Sequence, residues 1–446
     1  MRDILVTLIV VGSIPFILKR PYIGVLMWVW ISVMNPHRLA YGFAVDLPFA
    51  AIVGGATLIG LVVSKDPKNL PLVPLSIVFI AFILWMNVTT LTAIHLDLVY
   101  EQWKKVMKIM FMILITLMLI KTKQQVQLLI GVIVFSLAFY GVKGGIFTIL
   151  GGGQYIVWGP PDSFIAGNNE MALALTILIP LVHYFQLITK NMWMRYGLTV
   201  VIVLCAGASI ASYSRGALLA IAVMGAFLWF KSHHKLRLAL LFIIAIPIMV
   251  ANMPEQWGLR MNTIETYQAD TSVQGRFNAW EMAFNLTKDR PVLGGGFEVT
   301  TPELFARYAP NKTDIPRAAH SIYFQALGEH GYVGLSLYLL LGFLTWRTGT
   351  WIIRNTRGID EYQWATSLAT MIQVSLVGFA MGGTFLSLLY FDVPFYLMAA
   401  LIVTRSIVEK ELKEKIVLAI STVSADSSRQ LGKSSIPLQP ITRDSG

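Results

Sequence analysis

Arg215 stands in "IASYSRGALLA" (210–220), between two long apolar runs, and the turn between those runs is only a few residues long. A guanidinium fixed at the mouth of a helix can hold a phosphate or pyrophosphate through two parallel N–H bonds. Residues 214–216 also open a helix, whose free N–H groups favour an anion. The competing reading is that Arg215 snorkels to lipid phosphates. A second arginine, Arg276 in "QGRFNAW", lies beside an apolar helix face. His320 opens "HSIYFQALGEHGYVG" where the chain re-enters a long apolar segment, and an imidazole there suits a general base near neutral pH. It would equally serve as an interfacial cap.

Other polar residues gather at the same expected level. Asn168, Asn169 and Glu170 precede an apolar helix, which reads either as a cap with an acidic first turn or as hydroxyl and sugar recognition. Tyr213 in the tight turn and Arg290 beyond the Arg276 helix join them as candidate substrate-binding residues. Lys143 in "YGVKGGIF" falls inside an apolar segment, where a charge needs a partner or a cavity. Glu329 and His330, flanked by Gly328, Gly331 and Gly334, read as helix-packing glue rather than chemistry. No D-x-D, H-E-x-x-H, P-loop or dinucleotide fingerprint occurs. No metal or cofactor is expected, so any chemistry must start from an already activated donor.

These residues must be positioned by a membrane fold. Of the 446 residues 56% are hydrophobic and 13% charged, against about half and a quarter in soluble proteins. Continuous rather than alternating apolar runs exclude a β-barrel. Thirteen candidate segments lie near 4–18, 22–34, 47–63, 71–94, 106–120, 126–150, 170–188, 196–212, 216–230, 236–251, 322–346, 364–390 and 393–408. The first two are short, and the expected fold is an all-α polytopic integral membrane protein with about twelve transmembrane helices.

The Lys/Arg-rich loops at 19–20, 65–68, 121–123, 190–195, 231–237 and 347–357 alternate with poorer ones and are placed in the cytoplasm. The same bias accounts for the net charge of +11 without nucleic acid. It leaves 151–169, the turn at 213–215 and 252–320 on the outer face. In the last of these, "SVQGRFNAWEMAFNLTKDRPVLGGG" reads as a helix closed by Pro291 and Gly294–Gly296, with Phe277, Trp280 and Phe284 on one face. "TTPELFARYA" reads as a second helix capped by Thr301. The expected organisation is therefore N-terminal transmembrane helices over 1–251, a helical periplasmic loop or cap over 252–320, C-terminal transmembrane helices over 321–420, and a Ser-rich disordered cytoplasmic tail over 421–446. The run 4–18 does not read as a signal peptide, because Lys19 and Arg20 follow it. Cys205, the single cysteine, reads as a small packing residue.

"SRGALLA" (214–220), "GRFNAWEMAFNLTKDRPVLGGGFE" (275–298) and "AHSIYFQALGEHGYVGL" (319–335) together resemble the three signature blocks of the O-antigen ligase and polymerase superfamily. The resemblance covers roughly 165–400. The N-terminal half, with "NPHRLAYGF", resembles a subgroup described as O-glycosylation ligases near exosortase systems. The resemblance implies a metal-independent glycosyltransferase in the bacterial inner membrane, with its active site facing the periplasm. It would move a glycan from undecaprenyl pyrophosphate to a hydroxyl of a lipid A–core sugar, with membrane lipids as surroundings. Arg215 would then be a pyrophosphate ligand, Arg276 its partner and His320 the base. A polymerase and a protein O-oligosaccharyltransferase share these blocks and differ in acceptor. A transporter would instead need paired broken helices, and the sequence offers one candidate break, Lys143–Gly144–Gly145.

Overall fold

The computed structural model describes residues 1–65, 67–231, 236, 255, 257–258 and 271–433. Those residues form helices joined by turns, with no strand among them. In chain order the long helices are α1 (Arg2–Lys19), α2 (Tyr22–Met34), α3 (Phe49–Val63), α4 (Pro74–Leu91), α5 (Leu96–Leu119), α6 (Lys123–Leu150), α7 (Asn168–Ile188), α8 (Met192–Ile210) and α9 (Arg215–Lys231). They continue as α10 (Thr271–Asp289), the short α11 (Pro302–Tyr308), α12 (Ile322–Thr356), α13 (Gln363–Gly383) and α14 (Asp392–Lys433). Among the described residues six helices are long and apolar enough to cross a membrane: α4, α6, α7, α8, α12 and α13 with its preceding turn. Tyr22–Met34, Phe49–Val63 and Arg215–Phe230 are apolar but shorter. The chain is thus a polytopic helical membrane protein, and length and composition alone do not reach the expected twelve spans. The expected span at 236–251 lies almost wholly outside the described residues.

Helix α7 forms the centre. Nearly every residue from Met171 to Val182 is buried, and it packs against α8 and α13. Such a helix is apolar all round because no face meets solvent or lipid. Helix α6 begins with a capping box, in which the Thr122 hydroxyl accepts from the Gln125 N–H and the Gln125 side chain reaches back. It lies close on α8: a Cβ at Gly145 would stand 2.5 Å from the Leu204 carbonyl, and one at Gly141 would stand 2.3 Å from the Cys205 sulfur. Cys205 is accordingly a buried packing residue.

Three expectations are corrected. The Lys143–Gly144–Gly145 stretch is no break: α6 runs through it, and both glycines admit the neighbouring backbone or side chains. The break occurs instead at Gly331 within α12, where φ is 68° and ψ −171°. Second, 421–433 is helical rather than disordered, as the continuation of α14. Good helix formers in "EKELKEKIVLAI" and i,i+4 pairs such as Lys413–Glu409, 3.3 Å apart, carry the helix past the apolar segment. Residues 434–446 lie outside the described residues. Third, the Phe277/Trp280/Phe284 face of α10 docks through Trp280 alone. Phe277 and Phe284 are each 40% exposed, whereas Ala279, Met282, Ala283 and Leu286 are buried.

Candidate active site

The third block takes its geometry from the second. At Gly331 the α12 backbone leaves the helical path, which frees the carbonyls of Gly328 and Glu329. The loop after α10 enters this gap. Gly295 N–H donates to Gly328 O at 2.8 Å, Gly296 N–H to Glu329 O at 2.9 Å, and Tyr332 N–H to Pro291 O at 2.8 Å. Buried backbone groups must be paired, and here one segment pairs those that the other has lost. Only glycine fits the contact. Gly294 has φ 65°, and a Cβ there would lie 2.6 Å from Gly331 N.

His320 precedes α12 and is held from both sides. Its own N–H donates to Ser387 Oγ at 2.9 Å. The Trp280 indole N–H of α10 donates to the Ala319 carbonyl at 2.6 Å, and its ring stacks on Phe324 with centroids 4.9 Å apart. His320 has φ 43°, a left-handed conformation that costs on the order of 1 kcal/mol or more for a side-chain-bearing residue. The imidazole is half-buried. Burial first, and then the Arg276 and Arg317 charges, lower its pKa below the usual 6.5. The ring is therefore neutral at pH 7, the form that can accept a proton.

Arg215 is the first residue of α9 and is half-buried. Ser214 caps that helix, its hydroxyl accepting from Ala217 N–H at 3.2 Å. Gly216 faces the Phe385 side chain, 3.6 Å from the position of its absent Cβ, and the Phe385 ring lies 6.4 Å from Trp280. The three sequence blocks thus converge through Phe385, Trp280 and Ala319. Arg276 acts electrostatically on both His320 and Glu170. Arg317 packs over Gly275, its guanidinium carbon 3.2 Å from where a Cβ would stand.

Beside this cluster is a cavity of about 470 Å³, with Glu170, Glu298, Glu329, Gln325, Ser387 and Ala319 on its wall. Glu329 and His330 were expected to be packing glue, and they do more than fill space. The Tyr390 hydroxyl donates to Glu329, His330 Nε2 meets the same hydroxyl at 2.5 Å, and His330 Nδ1 meets Thr89 Oγ1 at 2.7 Å. Gln325 Nε2 donates to the other Glu329 oxygen at 3.2 Å. His330 is a fully buried, fully engaged structural residue, whereas Glu329 also borders the cavity. The only sequence signal for this role is the Glu-His pair beside glycines. Tyr390, Gln325 and Ser387 carry none.

The remaining expected residues divide. Asn168 ties α7 to the Arg215 turn by donating to Ser212 O at 2.7 Å. Tyr213, with φ 59°, donates its hydroxyl to Gly153 O at 2.8 Å and anchors the loop before α7. Both shape the site as backbone braces. Arg290 donates to Thr92 O at 2.5 Å at the end of α4, away from the cavity wall. Lys143 is exposed on α6, and Asn169 is half-buried in the first turn of α7; neither borders the cavity. Among the described residues no three His, Cys, Asp or Glu side chains are grouped as metal ligands.

Residues 200–339 match the family described as O-Antigen ligase, and residues 1–190 match a family of unknown function (DUF5935). No curated protein matches the chain.

Proposed function

With the match over 200–339 supporting membership of the O-antigen ligase superfamily, we infer that this protein transfers a glycan from undecaprenyl pyrophosphate to a sugar hydroxyl of lipid A–core. The reaction takes place at the periplasmic face of the inner membrane. The observation that supports this most directly is the Trp280–Ala319 hydrogen bond, which holds the His320 segment against the helix that carries Arg276.

The chemistry follows from the residues. The anomeric C–O bond to pyrophosphate breaks, and its electron pair leaves with undecaprenyl pyrophosphate. Arg215 and Arg276 stabilise the charge that develops there, in a partly water-excluded site where fixed cations act strongly. The acceptor hydroxyl oxygen bonds to the anomeric carbon and its proton passes to His320 Nε2 or Nδ1. Glu170, on the cavity wall, lies within electrostatic reach of Arg276. No step needs a metal or a nucleotide.

In the same reading the chain crosses the membrane about twelve times, 1–251 and 321–420 hold the spans, and 252–320 forms a periplasmic cap. Asn168 and Tyr213 hold the frame of the site, and Lys143, Asn169 and Arg290 take no part in it. A polymerase or a protein O-oligosaccharyltransferase would run the same chemistry on another acceptor. The break at Gly331 speaks against a transporter gate, because the Gly294–Gly296 backbone fills it.

The test is a transfer assay with the purified full chain in detergent, lipid-linked glycan and lipid A–core, in excess EDTA and without nucleotide. Product is expected at the full rate. Activity abolished by EDTA and restored by Mg²⁺ would remove the metal-independent mechanism. Normal lipid A–core glycosylation in a deletion strain would remove this acceptor.

A further inference from the structure

A second and larger cavity, about 770 Å³, adjoins the first. The two share Gln102, Lys105, Ser163, Phe164, Glu298 and Thr300 as a common wall. The far side is built by α2, α3, α5 and the start of α14, with Ser32, Ala50, Lys108 and the nearly buried Asp392 on it. Apart from Glu298, its lining comes from outside the three blocks. Most of it lies in the N-terminal half, which matches only the family of unknown function.

Its charges decide what it can hold. Lys104 is paired with Glu101 at 2.7 Å, and Asp162 with Arg38 at 3.3 Å. That leaves two cations, Lys105 and Lys108, and two carboxylates, Glu298 and Asp392. A phosphorylated ligand would need a surplus of positive charge, preferably arginine forks. A balanced lining suits a neutral polyhydroxyl ligand, because each hydroxyl both donates to a carboxylate and accepts from an ammonium. The rings of Trp28 and Phe164 add apolar faces for sugar C–H groups, and Lys105 Nζ lies 4.0 Å from the Phe164 centroid. The volume is within the roughly 300–1,000 Å³ common for ligand sites.

We propose that this cavity is the acceptor subsite and that it takes an uncharged oligosaccharide, whose terminal hydroxyl passes the Lys105–Glu298 wall to reach the His320 segment. The proposal rests on the transferase reading for the word acceptor. The binding of a neutral glycan stands without it.

Two measurements on the purified full chain in detergent test this. The first is saturation-transfer NMR with a panel of uncharged hexose and heptose trisaccharides, each beside its monophosphate. An uncharged member is expected to bind better than its phosphate. Ala50→Trp, which fills the far side, should weaken it at least tenfold, and Lys108→Gln, which upsets the balance without adding bulk, several-fold. Tighter binding of the phosphates, no binding of any uncharged member, or affinity unchanged in both variants overturns the proposal. The second is transfer kinetics, in which both variants should raise the acceptor KM by the same factors and leave the donor KM unchanged. Raised donor KM with unchanged acceptor KM would assign the cavity to the donor and overturn it. Failure of the unmodified chain to transfer to any acceptor would defeat the transferase reading, and the NMR result would still decide the cavity.

Discussion

Gly295 gives its N–H to the carbonyl of Gly328 at 2.8 Å, and so joins the loop after α10 to a helix broken at Gly331. The second and third blocks are therefore one structural unit. The glycines of "PVLGGG" and "GEHG" face each other because side chains would keep the two backbones apart.

This makes the glycines sharply unequal. Gly294→Ala combines a positive φ with contacts under 3 Å to backbone atoms, and is expected to cost more than about 2 kcal/mol. Gly342→Ala, within α12 and with nothing within 4 Å, should be neutral or slightly stabilising. Thermal unfolding in detergent compares them, and equal melting temperatures would mean that the junction does not form.

The pH dependence follows from His320. Its lowered pKa means that the neutral base persists below pH 6.5, so the acidic limb of kcat should lie below the ordinary imidazole range. Arg317→Gln removes one of the cations that favour the neutral form, and should move the limb to higher pH. His320→Ala should lose about 10²–10⁴-fold in turnover with donor affinity retained, and His320→Gln should do little better. An unchanged limb in His320→Gln would assign the base elsewhere, with Glu170, Glu298 and Glu329 on the cavity wall as the next groups to replace.

Arg215→Lys is expected to fail almost as badly as Arg215→Ala, since a point charge cannot reproduce a two-pronged contact to pyrophosphate. The measurement is kcat/KM for the lipid-linked donor, on protein that elutes as the unmodified chain does. A lysine variant with near-normal kcat/KM would mean that only positive charge is needed there.

Orientation can be read with single cysteines in a Cys205→Ala background. Ser163→Cys and Thr271→Cys should react with an impermeant thiol reagent in intact spheroplasts, and Ser428→Cys only after lysis. The opposite pattern would invert the topology and with it the periplasmic site.

The amino-acid sequence determined the class of this protein by itself, because helices in hydrocarbon must satisfy their own backbone and so appear as long apolar runs. It also marked Arg215, Arg276 and His320, since charged or titratable groups beside such runs are costly and stand out. The caps at Thr122 and Thr301 were equally local, and Thr301 was legible as written. Tertiary structure decided the rest. Whether a Gly pair bends a helix or seats a neighbour depends on what lies opposite: Gly144 and Gly145 face α8, and Gly331 faces the loop that closes its gap. Glu329 acquires its partners from Tyr390, sixty-one residues away, and from Gln325. The second cavity gathers α2, α3, α5 and α14, whose polar residues are scattered through the sequence and form a balanced wall only once the helices are packed.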